Sequence, residues 1–120
     1  MKKKSFAVIG AGRFGTSVAL SLTKMGHDVL VIDSDEKKIQ ELSDRVTHAV
    51  QADTTNEHVL KTLGITNFDA VVVAIGTSLQ ASVLTSIILK ELGAKYILSK
   101  AQTDLHGKLL EKIGVNRVIF

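Results

Sequence analysis

Gly10-Ala11-Gly12-Arg13-Phe14-Gly15 fits the pattern G-x-G-x-x-G, and its flanks decide what the pattern means. Before it runs Phe6-Ala-Val-Ile9, a short apolar stretch that suits a strand buried on both faces. After it, Phe14, Val18, Leu22 and Met25 recur at spacings of 4, 4 and 3, one stripe of an α-helix that Gly26 can end. The order is therefore strand, glycine turn, helix. Each glycine has a task in such a turn. Gly10 permits the tight bend, Gly12 lets a pyrophosphate approach the backbone, and Gly15 lets the helix pack on the sheet. The free amides and positive dipole end of that helix would face the phosphates.

The same alternation continues outward. Val29-Leu-Val-Ile32 reads as the second strand, followed by a helix marked by Ile39, Leu42 and Val46 and capped by Ser34 or Asp35. Residues 48–52 form a weaker third strand. Thr54-x-x-Glu57 has capping-box spacing ahead of Val59, Leu60 and Leu63, with Gly64 closing that helix. Ala70-Val-Val-Val-Ala-Ile75 is the strongest strand, because β-branched residues lose little on extension. Residues 78–92 form a long helix ended by Gly93, and Tyr96-Ile-Leu-Ser99 is strand five. Leu105, Leu109 and Ile113 stripe a fifth helix that Gly114 stops, and Val118-Ile-Phe120 is strand six. Strands separated by helices must pair in parallel. Right-handed crossovers then give an α/β fold, a three-layer, doubly wound, six-stranded parallel sheet of order 3-2-1-4-5-6. The expectation is one Rossmann-like domain over residues 1–120.

Composition narrows the function classes. With 120 residues, 45% hydrophobic and 22% charged, the chain suits one globular domain and is too short for two. The absence of cysteine excludes disulfides, thiolate zinc sites and a cysteine nucleophile. Lys2, Lys3 and Lys4 account for the whole net charge of +3, so the basic balance belongs to a short leader and does not indicate nucleic-acid binding. The longest apolar run, residues 70–75, falls far below the ~20 residues of a spanning helix, so direct membrane insertion is not expected. A cytoplasmic setting is the default.

Several polar residues fall at the carboxyl edge of the expected sheet, where open α/β sheets bind ligands. Asp33 ends strand two, where a carboxylate accepts both ribose hydroxyls and repels a 2′-phosphate; the plain alternative is a turn residue. Asp35 serves either the ribose or the helix cap. Arg13 can bridge phosphate oxygens in a bidentate way and favours a γ-phosphate, or else faces solvent. Asp53 either accepts the adenine amino group or helps cap a helix beginning near Thr54. Ile75 and Gly76 end strand four, with Gly76 leaving room for a ligand. Lys100, following strand five, reaches a phosphate or is solvated.

No reaction centre accompanies this binding pattern. His27, His48, His58 and His106 are scattered, each expected at the surface or half-buried and not as a metal ligand. No G-x-S-x-G elbow or Walker lysine is present. On the fourth helix, Leu84, Ile87, Ile88 and Leu92 make a core stripe, while Leu79, Val83 and Leu89 extend the apolar surface to another side. A helix apolar beyond one stripe has a second partner, here a second copy of the chain or deeper burial by its own sheet.

The segments Phe6-Ala-Val-Ile-Gly-Ala-Gly-Arg-Phe-Gly15, Val31-Ile-Asp33, Val72-Val-Ala-Ile-Gly76 and Leu109-Leu-Glu-Lys-Ile-Gly114 together resemble the RCK (regulator of potassium conductance) N-terminal domain of the Ktr and Trk type. The resemblance implies a non-enzymatic gating protein. It implies a homo-oligomer, commonly an octameric ring built from dimers, under a membrane-embedded potassium-translocating subunit. It further implies that ATP, ADP or NAD(H) binds at the glycine-rich turn and that the identity of the nucleotide changes the ring. Carried onto this chain, Gly10, Gly12, Gly15 and the intervening Phe14 belong to the phosphate turn, and Asp33 holds the ribose. Arg13 senses the terminal phosphate, and Lys100 lies near the ligand. Such proteins continue into a crossover helix and a smaller C-terminal lobe, so this sequence is expected to be the isolated N-terminal domain. The competing reading is the cofactor-binding half of an NAD-dependent oxidoreductase, which would need a substrate domain.

Overall fold

Strands form where β-branched and apolar residues run without interruption, because both faces of the sheet are covered. A computed structural model describes residues 2–120, with six strands: β1 (Ser5–Ile9), β2 (Asp28–Asp33), β3 (His48–Gln51), β4 (Ala70–Val73), β5 (Ile97–Lys100) and β6 (Arg117–Ile119). The helices between them are α1 (Arg13–Lys24), α2 (Glu36–Leu42), α3 (Glu57–Thr62), α4 (Leu79–Leu92) and α5 (Asp104–Ile113). All pairings are parallel and the order is β3-β2-β1-β4-β5-β6, as expected from the sequence.

Alternate residues of the central strands enter two cores, as a strand period of two requires. Val8, Val31 and Val72 face one side with Ala19 of α1 and Ile39 and Leu42 of α2. Ile9, Ile32 and Val73 face the other with Leu60 of α3 and Ile88 and Leu89 of α4.

Several boundaries differ from the sequence reading. β4 stops at Val73, two residues early, because its partner β1 ends at Ile9 and the Ile9–Val73 pair closes their ladder. β5 and β6 each shift by one residue, which makes Lys100 the last residue of β5, paired with Ile119. Met25 leaves the expected stripe and is 53% exposed, since α1 ends at Lys24. α2 stops at Leu42, so Val46 is buried from the following turn. The Thr54–Glu57 capping box does not form. Asn56 caps α3 by accepting the Val59 N–H, while Thr54 turns inward.

The helix stripes also need correction. On α4, Leu84 is exposed and Leu89 is fully buried, the reverse of the expectation. The inward face carries Ser82, Thr85 and Ser86 beside Ile88 and Leu89, since hydroxyls there find partners on neighbouring elements. On α5, Leu105 and Leu109 face outward and the buried positions are His106, Gly107 and Leu110. His27 and His106, expected near the surface, are both buried. His27 accepts the Lys4 N–H at 3.0 Å through Nδ1 and stacks edge-on against Phe6.

Candidate functional site

A tight bend brings the first helix up against the end of β1. Gly10 has φ of 105°, in the left-handed region, and a Cβ there would lie 2.6 Å from the Ala74 carbonyl oxygen. A Cβ at Gly15 would overlap the Gly10 carbonyl oxygen itself. Both positions therefore exclude any side chain, as the sequence reading required. Gly12 is different. It caps α1 without a side-chain bond, and a Cβ on it would meet no atom within 4 Å. The space before the first amides of α1 is open, where an anion finds unpaired N–H groups.

Beside this turn, at the carboxyl edge of the sheet, lies a cleft of about 390 Å³, within the range of small-molecule sites. Gly10, Asp33, Asp35, Asp53, Ile75 and Gly76 line it. These six expected residues come from the ends of four adjacent strands, β3, β2, β1 and β4, and the loops that follow them. A Cβ on Gly76 would lie 3.3 Å from the Gln102 amide nitrogen.

Asp33 links two of these loops. Its Oδ2 accepts the Ala11 N–H at 2.7 Å and its Oδ1 accepts the Asp35 N–H at 2.8 Å. A carboxylate offers about four lone-pair positions, so acceptor capacity remains for two further donors. Asp35 caps α2, accepting the Lys37 N–H at 2.9 Å. Asp53 accepts both the backbone N–H and the hydroxyl of Thr55 on Oδ1. The Thr55 hydroxyl and then its backbone amide hold the Asp53 carboxyl below the usual carboxylate range. It is an acceptor at neutral pH, and it does not cap α3.

Arg13, Phe14, Gly12, Gly15 and Lys100 stand outside the cleft lining. The Lys100 ammonium lies 5.1 Å from the centroid of the Phe14 ring, a cation–π contact that holds it at the first turn of α1. Arg13 is exposed on the same turn and makes no ion pair among the described residues. The site is thus polar in a graded way, with acceptors at Asp33, Asp35 and Asp53 and cations near the glycine turn.

Sequence reasoning missed Lys38, which lines the acidic end of the cleft from the first turn of α2. The one signal was its place in the first turn of α2, three residues after the cap Asp35. Thr55 and Ser78 were also missed as lining residues. Short polar residues in loops and helix caps carry no periodicity to announce them.

Comparison with known proteins gives a consistent picture. The TrkA-N domain model matches residues 6–120. The Ktr system potassium uptake protein C of Bacillus subtilis is 52% identical over 117 residues, covering 98% of this chain and 53% of that protein. The Ktr system potassium uptake protein A of the same organism is 51% identical, covering 99% of this chain and 54% of its own length. The chain therefore spans about half the length of these relatives. Among solved structures, the NAD(P)-binding domain of an exopolyphosphatase-related protein from Archaeoglobus fulgidus superposes with a TM-score of 0.87 at 26% identity, covering 98% of this chain and 87% of that one. With a glycine turn, an acidic β2 end and a family match over nearly its whole length, the chain belongs to the TrkA-N domain family.

Proposed function

We propose that the chain is a nucleotide-sensing regulatory domain of a potassium transporter. The observation that carries this reading is the Asp33 carboxylate, fixed between two loops with acceptor capacity left over, beside open amides at Gly12. An adenine nucleotide fits that arrangement. Its ribose hydroxyls donate to Asp33 and its diphosphate lies against the first turn of α1. Its amino group donates to Asp53, and Arg13 and Lys100 meet the distal phosphate. ATP satisfies every one of these groups, ADP all but the cations at the distal phosphate, and NAD(H) those at the adenine, ribose and pyrophosphate.

The potassium role is supported by the names of the two Bacillus relatives, which are potassium uptake proteins. In this reading the domain catalyses nothing and sits at the inner face of the membrane through a potassium-translocating subunit. It acts as a homo-oligomer, ring-shaped in the full-length protein. Leu79 and Leu84 of α4 and Leu105 and Leu109 of α5 are exposed and supply an apolar face for another copy. The nucleotide acts by population shift, since a ligand moves an assembly only by binding one of its states better. Calorimetric titration of the folded chain with ATP, ADP and NADH tests the reading. Saturable binding of at least one is expected; three flat titrations on folded protein overturn it.

A further inference from the structure

Thr85 lies on α4 one turn past Ala81, outside the cleft and with no exposed surface. Its hydroxyl donates to the Thr54 carbonyl at 3.2 Å, and the Thr54 hydroxyl lies 3.2 Å from Thr85 Oγ1. With the Thr85 proton on the carbonyl, the Thr54 hydroxyl donates in return. The two residues form a reciprocal clasp between α4 and the loop after β3. Thr54 lines the cleft and sits between Asp53 and Thr55, whose own bonds fix the Asp53 carboxylate. The loop is short and lies outside regular structure between β3 and α3, so α4 supplies a rigid support for it.

We propose that Thr85 is a positioning residue that sets base selectivity at the cleft, holding the 53–55 loop so that Asp53 meets the exocyclic group of a purine. This rests on the nucleotide reading above, but it concerns a residue outside the cleft lining. A carboxylate accepts from the 6-amino group of adenine and repels the 6-oxo group of hypoxanthine, which presents an acceptor to an acceptor. That discrimination depends on the loop staying in place. Replacing Thr85 by valine keeps the shape and removes the hydroxyl, leaving a buried carbonyl and a buried hydroxyl of Thr54 without partners. The loop then moves toward water to satisfy them. Replacing Thr85 by serine keeps both bonds.

The test measures dissociation constants for ADP and for inosine 5′-diphosphate with wild type, Thr85→Val and Thr85→Ser. Wild type is expected to prefer ADP, Thr85→Val to lose about five- to tenfold of that preference, and Thr85→Ser to keep it. The proposal is overturned if wild type binds both equally, if Thr85→Val keeps the wild-type ratio, or if serine loses as much as valine. If Thr85→Val does not fold, Thr54→Val removes one of the two bonds from the other side; it is then expected to lower the ratio by a smaller factor, and an unchanged ratio overturns the proposal. Failure of all three nucleotide titrations with wild type speaks against the parent reading instead, so the two failures are separable.

Discussion

The Asp33 carboxylate accepts the Ala11 backbone N–H at 2.7 Å, which ties the end of β2 to the glycine turn after β1. Its second oxygen accepts the Asp35 N–H, so one side chain sets the spacing of two loops that line the cleft. In Asp33→Asn one amide oxygen must serve two backbone donors, and the amide nitrogen faces one of them. We expect a stability loss of about 1–2 kcal/mol in urea unfolding and at least about tenfold weaker ADP binding. The same variant should narrow the preference for NADH over NADPH, because the charge opposing a 2′-phosphate is gone.

Gly15 and Gly12 separate folding from binding. In Gly15→Ala the new methyl overlaps the Gly10 carbonyl oxygen, so a loss of about 3 kcal/mol or more is expected by urea unfolding. In Gly12→Ala nothing in the protein is met, and stability should change by less than about 1 kcal/mol. Nucleotide binding by Gly12→Ala should nevertheless collapse, because the methyl occupies the approach to the α1 amides. Calorimetry and unfolding on the two variants check both halves.

Arg13 is exposed at the first turn of α1, free of ion pairs among the described residues. Arg13→Ala should narrow the ATP-to-ADP affinity ratio while leaving ADP affinity within about threefold of wild type. An unchanged ratio in calorimetric titrations removes Arg13 from the sensing role.

His106 gives the fold a pH dependence of known sign. Its Nδ1 accepts the Gln102 N–H at 3.0 Å, so the ring proton sits on Nε2 and points to the Ser82 hydroxyl at 2.9 Å. Burial pushes its pKa below the ordinary histidine value. The unfolded chain therefore takes up a proton at a pH where the folded one does not. The contribution is complete above about pH 6.5 and is lost as pH falls below it, at no more than about 1.4 kcal/mol per pH unit. Urea unfolding at pH 7.5 and 5.5 should show this loss in wild type and a shallower one in His106→Gln.

Charge placed on the outer face of α4 or α5 should weaken self-association. Leu84→Glu and Leu105→Glu remove exposed apolar side chains, 44% and 65% accessible, and both variants should fold as wild type does. Native mass spectra are expected to show fewer copies per assembly for each; assemblies identical to wild type count against that face as the contact.

The fold was legible because its strands are apolar runs and its turns are glycines in a fixed order. The Gly10–Gly15 turn and the acid at Asp33 depend on sterics and short-range bonding, which a local pattern expresses well. The helix faces were not legible to the same degree. Leu105 and Leu109 repeat at helical spacing yet point outward, because His106 and Leu110 supply the inward face and Gly107 admits the Phe120 ring, whose tip a Cβ there would meet at 2.6 Å. Periodicity reports that a helix has an apolar side; it does not report which of two sides meets the sheet. Thr54 was misplaced for a related reason, since capping-box spacing competes with a buried partner on α4 that only the fold brings near.

The inner side of α4 joins three different neighbours through small hydroxyls: Ser82 to His106, Thr85 to Thr54, and Ser86 to Ser99 at 3.2 Å. Apolar contacts tolerate a slide of an ångström, whereas hydrogen bonds weaken steeply as their distance and angle leave the optimum. The helix behaves as a latch with one seated position. A shift of α4 large enough to break its bond to the loop after β3 would strain its bonds to the fifth strand and the fifth helix as well.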